Sequence, residues 1–215
     1  MAIQLFWQVR RQQGRSQGRT TGRKDYGSRR QVTGGAQPDG FAELTAELLT
    51  GIGLPNVSIA RKHSAVVPGF YRPTKQWDLV VVSDGSLVAT IEFKSQVGSF
   101  GNNFNNRVEE ALGSATDVRR AYQAGVFAPS RPPWLGYLML LEDHPDSTRE
   151  GAVDEPHFKV LPEFAHTSYA KRYELFCQRL VREQLYEATC FLMSDPVSGL
   201  KGQYREPSAE LLMVS

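Results

Sequence analysis

Apolar residues recur along this chain with two different periods, and each change of period marks an element. Phe41, Leu44, Leu48 and Ile52 keep helical spacing behind Asp39, a good N-cap, and Gly51, Gly53 and Pro55 stop that helix. Residues 57–60 and 65–67 read as short strands, the second ended by Pro68-Gly69. Two runs rich in β-branched residues, 77–82 and 87–94, are joined by Ser83-Asp84-Gly85-Ser86 and predict a β-hairpin. Residues 95–106 are polar and rich in Gly and Asn, which predicts a loop. Val108, Ala111, Leu112, Ala115, Val118 and Tyr122 then predict a helix over 106–124, ended by Gly125. A buried strand over 134–141, an irregular stretch over 142–167, a long helix over 169–187 and a closing strand over 189–193 complete the series. The order α-β-β-α-β-α-β implies an α/β sandwich with helices flanking a mixed sheet.

The N-terminus differs in kind. Ile3, Leu5, Phe6 and Trp7 suit a short amphipathic helix over 2–12, whereas 14–35 is Gly/Arg/Gln/Ser/Thr-rich and predicts a mobile segment. Residues 1–35 hold eight basic residues against Asp25 alone, while the remaining 180 carry 17 basic and 22 acidic. That asymmetry sets off 1–35 as a basic arm with a short helix. The arm suits contact with a polyanion, a solubilising tail, or a dimer contact through Leu5, Phe6 and Trp7. No stretch approaches the roughly 20 apolar residues of a membrane span. Two cysteines, Cys177 and Cys190, are too few and too far apart for a disulfide framework or zinc site, which predicts reduced core thiols in a cytoplasmic protein. The four histidines lack metal-ligand spacing, and the three tryptophans suit core or interface anchors.

The hairpin carries the chemistry. Residues i and i+2 of a strand share a face, so Glu92 and Lys94 point together while Phe93 points into the core. Across the hairpin the start of the first strand meets the end of the second, which brings Asp78 near them despite 13 intervening residues. Two carboxylates and the Phe93 carbonyl are hard oxygen ligands suited to Mg²⁺, which orients water and offsets charge on a phosphate. Lys94 would position or deprotonate that water, or neutralise the transition state. The competing explanation is a surface ion pair of Lys94 with Glu92 or Asp78.

The segment Pro68-Gly69-Phe70-Tyr71-Arg72-Pro73-Thr74-Lys75-Gln76-Trp77-Asp78 and the stretch Glu92-Phe93-Lys94-Ser95-Gln96 through Gly101-Asn102-Asn103-Phe104-Asn105-Asn106-Arg107 resemble the XhoI family of type II restriction endonucleases. The likeness extends across most of residues 39–205. It implies a PD-(D/E)XK restriction-endonuclease-like fold over 36–215 and a Mg²⁺-dependent homodimer. The implied site is CTCGAG in double-stranded DNA, cut after the first C to leave 5′ overhangs. It also implies a cognate DNA methyltransferase in the same host.

Further positions fall into place around that core. Gln96 extends the pattern to Glu-x-Lys-x-Gln on one face, as a ligand of water or phosphate or as a plain strand-end residue. Glu47, or else Glu43, on the 39–51 helix is a candidate third metal ligand. Asn102, Asn103, Asn105, Arg107 and Glu110, with Arg72 and Lys75, are candidate DNA contacts, since Arg reads guanine and Asn adenine; a roleless turn-rich loop is the alternative for 98–107. Two rivals stand beside this reading: a structure-specific or nonspecific nuclease with the same hairpin, and a catalytically idle DNA-binding module.

Overall fold

The computed structural model describes residues 1–21 and 39–208. Helix α1 (Ala2–Thr21) and helix α2 (Asp39–Thr50) precede strand β1 (Val57–Arg61). A two-stranded ribbon comes next, β2 (Val66–Pro68) and β3 (Thr74–Gln76), paired antiparallel with Val67 opposite Lys75. Strands β4 (Leu79–Ser83) and β5 (Ser86–Gln96) form the hairpin, α3 (Phe100–Gln123) crosses to β6 (Trp134–Glu142), and a short α4 (Pro145–Thr148) and α5 (Tyr169–Arg182) lead to β7 (Ala188–Ser194). The main sheet runs β1-β4-β5-β6-β7. Its first three strands are antiparallel neighbours and its last three parallel, so the sheet is mixed.

Alternation along the strands sorts side chains into two cores. Leu79, Val81, Ala89, Ile91, Phe93, Leu140 and Leu192 pack against Ile3, Phe6 and Trp7 of α1 and Phe41 and Ala42 of α2. Val80, Leu135, Tyr137, Met139, Leu141, Phe191 and Met193 pack against Ala111, Ala115 and Val118 of α3 and Tyr173, Phe176 and Leu180 of α5. The result is a three-layer sandwich with the sheet between two helix pairs. The hairpin turns on Asp84 and Gly85, both at positive φ (47° and 74°), the conformation a two-residue turn demands. A bulge between Val81 and Val82 puts two residues of β5 against one of β4, and Leu87 thereby joins the core opposite to that of Ala89.

Four expectations need correction. Helix α1 continues to Thr21, so 14–21 is helical where a mobile segment was expected. Arg and Gln are good helix formers, and the buried first turns anchor the later ones. Phe6 and Trp7, 1% and 3% exposed, lie in this chain's own core, so they are not a contact for a partner subunit. Residues 22–35 of the basic segment lie outside the described residues. The Asn-rich stretch is helical from Phe100, because Phe100 and Phe104 at i, i+4 give it an apolar edge; Gly98 and Ser99, at φ 68° and 46°, make the turn into it. Helix α5 stops at Arg182, where Gln184 at φ 54° turns the chain and the Leu185 and Tyr186 N–H groups both reach the Leu180 carbonyl. Both cysteines are buried and free. Among the described residues no helix is long and apolar enough to cross a membrane.

Candidate active site

Leu79 pairs with Ile91, so the residue before β4 comes level with Glu92 and Phe93. Asp78 occupies that place, in a bend one residue outside the strand, and its Oδ2 accepts the Phe93 N–H at 2.8 Å. This bond fixes the carboxylate against β5. Burial pushes the Asp78 carboxyl up from its usual range, against the Phe93 N–H and the Lys94 charge. Phe93 itself stacks on Phe41 in the opposite core, with ring centroids 6.4 Å apart.

Glu92 is 2% exposed and surrounded by donors. Its Oε1 lies 2.6 Å from Lys75 Nζ, 3.3 Å from Ser114 Oγ and 3.8 Å from Lys94 Nζ. Its Oε2 lies 3.3 Å from the Tyr186 hydroxyl, which also sits 3.1 Å from the Ala111 carbonyl. Burial and the neighbouring Glu92 both push the Tyr186 phenol well above its ordinary value, so it stays a neutral donor. A buried carboxylate persists only when partnered in this way. Lys94 also approaches Glu110 at 3.6 Å, and Glu110 bonds Arg107 at 2.8 Å. Partial burial opposes ionisation of Glu110, but Arg107 and Lys94 outweigh it and hold that carboxyl below its usual range.

The loop before Asp78 is clamped to α3. Asp117, 1% exposed, accepts the Phe70 and Tyr71 N–H groups at 2.8 and 2.9 Å and the Arg72 Nε at 2.7 Å. A Cβ at Gly69 would sit 2.7 Å from Asp117 Oδ2 and 2.8 Å from the Arg72 carbonyl, so only glycine lets the loop close. The clamp sets the path of β3, which presents Lys75 to Glu92, and of Asp78 beyond it.

The fold therefore gathers Asp78, Glu92, Lys94, Lys75, Arg107 and Glu110, and treats other candidates differently. Gln96 stands on the expected face but is 3% exposed; its oxygen accepts the Tyr173 hydroxyl and its amide donates to the Ser99 carbonyl at 3.1 Å. It braces the strand end and has no open group for water or phosphate. Glu43 and Glu47 are exposed on α2, whose buried residues meet the sheet face opposite Glu92. Among the described residues no three His, Cys, Asp or Glu side chains gather as a metal cage, so Glu47 does not complete one with Asp78 and Glu92. Arg72 and Lys75 were expected on DNA; the first serves the Asp117 clamp and the second faces Glu92. Asn103 and Asn105 lie on α3, Asn105 exposed, and Asn102 lies on the same helix.

Ser114, Asp117 and Tyr186 were missed from sequence. A signal existed for the first two: Arg107, Glu110, Ser114 and Asp117 form a polar stripe at helical spacing beside the apolar stripe of α3. Tyr186 gave none, since it enters through the turn after α5.

The donor set suits a hard divalent cation. Asp78 and Glu92 supply carboxylate oxygens, and the Lys75 ammonium against Glu92 demonstrates that the site already seats a cation. Two carboxylates are what Mg²⁺ commonly takes from protein while keeping waters.

Comparison with known proteins gives a consistent result. The family model for restriction endonuclease XhoI matches residues 17–206. The type II restriction enzyme BstVI of Geobacillus stearothermophilus is 53% identical over 194 residues, covering 87% of each chain. The type II restriction enzyme XhoI of Xanthomonas vasicola is 41% identical over 189 residues, 84% of this chain and 73% of that one. The type II restriction enzyme AbrI of Azospirillum brasilense is 44% identical over 160 residues, 74% of this chain and 71% of that one. No solved structure matches the chain.

Proposed function

Because the chain belongs to the XhoI family of restriction endonucleases and is a type II restriction enzyme, we propose that Asp78, Glu92 and Lys94 hydrolyse double-stranded DNA with Mg²⁺ in a PD-(D/E)XK fold. The carrying observation is the Asp78 carboxylate bonded to the Phe93 N–H, which sets it beside Glu92 and Lys94 on a strand otherwise buried. A surface ion pair does not explain a glutamate sealed at 2% exposure under four donors.

Asp78 and Glu92, with the Phe93 carbonyl, would hold the metal. When bound, Mg²⁺ supplies a polarised water and offsets charge on the scissile phosphate. Ser114 and Tyr186 keep the Glu92 carboxylate from rotating away, which pre-organises the site before DNA arrives. Lys94, between Glu92 and Glu110, orients the attacking water and offsets charge as the phosphorus accepts a fifth oxygen. Water adds to phosphorus, the 3′ oxygen leaves, and the products are a 5′-phosphate and a 3′-hydroxyl.

The proposed site is CTCGAG, cut after the first C, with a two-fold palindrome read by a homodimer. Asn102, Asn103 and Asn105 are proposed base or phosphate contacts from the first turns of α3, with Arg107 behind them. Such an enzyme works in the cytoplasm on foreign DNA, beside a methyltransferase that protects host sites. Digestion of a plasmid of known sequence with Mg²⁺, followed by end sequencing, tests the whole reading. Discrete ends at CTCGAG are expected. Another palindrome overturns the site alone, a smear favours a nonspecific nuclease, and no cutting overturns the enzyme.

A further inference from the structure

Lys75 is the side chain that the reaction as described leaves unused, although it makes the tightest contact in the site. Its ammonium lies 2.6 Å from Glu92 Oε1, against 3.8 Å for Lys94. It also donates to the Gln76 carbonyl at 3.3 Å and lies 4.2 Å from the centroid of the Trp77 ring. An ammonium has three N–H groups, and here each has a partner. Two of those partners belong to its own chain neighbours, Gln76 and Trp77. Glu92 alone ties it to the catalytic strand.

The charges explain why such a contact matters. Asp78 and Glu92 are two carboxyl groups facing two amines, Lys75 and Lys94, so the formal charges of the inner site cancel without a metal. A divalent cation entering with Lys75 in place would add its whole charge to a neutral, largely dehydrated cluster. Lys75 also covers Oε1 of Glu92, one of the two oxygens that carboxylate could offer the cation. Cation and ammonium therefore compete for Glu92.

Resting on the nuclease reading above, we infer that Lys75 is a built-in counter-cation for Glu92, which a divalent metal displaces and a DNA phosphate takes over. In the free protein the ammonium holds Glu92 in its working place and keeps metal affinity low. When a duplex docks, its phosphodiester offers the ammonium another anion, and Glu92 is released to the metal. Metal and DNA thus bind with positive coupling, and the coupling passes through one lysine on β3.

The test is calorimetric titration of the full chain with Ca²⁺, a hard oxygen-seeking cation, with and without a short duplex carrying CTCGAG. Lys75→Met is expected to tighten Ca²⁺ binding to the DNA-free protein by roughly tenfold, about 1.4 kcal/mol, and to gain less from duplex than the parent does. Lys75→Arg, which keeps a cation on Glu92, is expected to bind Ca²⁺ as the parent does. Lys159→Met removes an equal charge from the exposed surface, where it pairs with Glu155, and is expected to leave DNA-free Ca²⁺ affinity within about twofold. Equal or weaker Ca²⁺ binding by Lys75→Met, or a gain matched by Lys159→Met, overturns the inference. Should Lys75→Met fail to fold, the parent decides: duplex is expected to raise its Ca²⁺ affinity by roughly tenfold or more, and no gain overturns the coupling. A parent that cuts plasmid with Mg²⁺ while giving those negative results loses only this inference. A parent that never cuts loses the nuclease reading instead.

Discussion

The two faces of the central sheet share strands and obey different rules. Toward α1 and α2, the inward residues of β4, β5 and β6 are mostly apolar, and shape largely decides what fits. Toward α3 and α5, the same strands carry Thr90, Glu92, Gln96 and Tyr137, ringed by Tyr173, Tyr186 and Ser114. There Glu92 and Gln96 take their partners from distant parts of the chain, whereas the buried Thr90 and Tyr137 hydroxyls have none among the described residues. The dry face makes the sheet stable, and the polar face makes it a site. Their separation means that stability and chemistry should fail independently.

The largest expected effect breaks chemistry alone. Asp78→Ala and Lys94→Ala should lower cleavage by about three orders of magnitude or more, roughly 4 kcal/mol of barrier, in plasmid nicking assays. Their melting points should move by only a few degrees, since Asp78 loses one hydrogen bond and the loss of Lys94 leaves Glu92 its Lys75, Ser114 and Tyr186 partners. A melting point that collapses with activity would make these residues structural.

Leu140→Ala on the dry face should do the reverse. Leu140 is fully buried on β6, so the truncation should cost about 2–5 kcal/mol in denaturant unfolding. Cleavage per folded molecule should stay near the parent rate. A selective loss of rate would couple the two faces.

Tyr173→Phe probes the boundary. It leaves the buried Gln96 oxygen without its donor and should cost about 1–3 kcal/mol of stability. If Gln96 is a brace, the cleavage rate changes by less than tenfold. A large drop in rate with stability intact would return Gln96 to the reaction.

The smallest effect is pH-dependent. Burial opposes ionisation of Asp117, but the Tyr71 and Phe70 N–H groups and Arg72 outweigh it and hold the carboxyl below its usual 3.8. A depressed folded value means that the stabilisation is fully present above 3.8 and is lost as pH falls through the lower folded value. Asp117→Asn should therefore cost about 1–2 kcal/mol near neutrality and nothing once the parent carboxyl is protonated in acid. A difference from the parent that persists undiminished in acid would mean that shape, not charge, closes the clamp.

The two faces were unequally legible in the sequence. Periodicity found the hairpin and the alternation of Glu92 and Lys94 against Phe93, because a strand's period of two is a local rule. It placed α2 and β6 for the same reason. It misjudged the Asn-rich start of α3, where Phe100 and Phe104 are too few to mark a helix without the core they enter. It could not show that Arg72 and Lys75 have partners within the chain, because Asp117 and Glu92 lie 45 and 17 residues away. Glu47 was placed by analogy with related nucleases, but the apolar residues of α2 turn it to solvent.

Trp7 sets an order in time. Its indole N–H bonds Ser194 Oγ at 3.1 Å across 187 residues, and its ring lies so close to Gly199 that a Cβ there would sit 2.1 Å away. Because synthesis runs from N to C, α1 can seat its tryptophan only after β7 and the turn beyond it have been made. Helix α1 and that turn thus meet late, after the β4–β5 hairpin and its crossover helices have emerged. A nascent chain therefore has Asp78, Glu92 and Lys94 before it has this closure, and the helix that makes the closure has waited through the synthesis of the whole sheet.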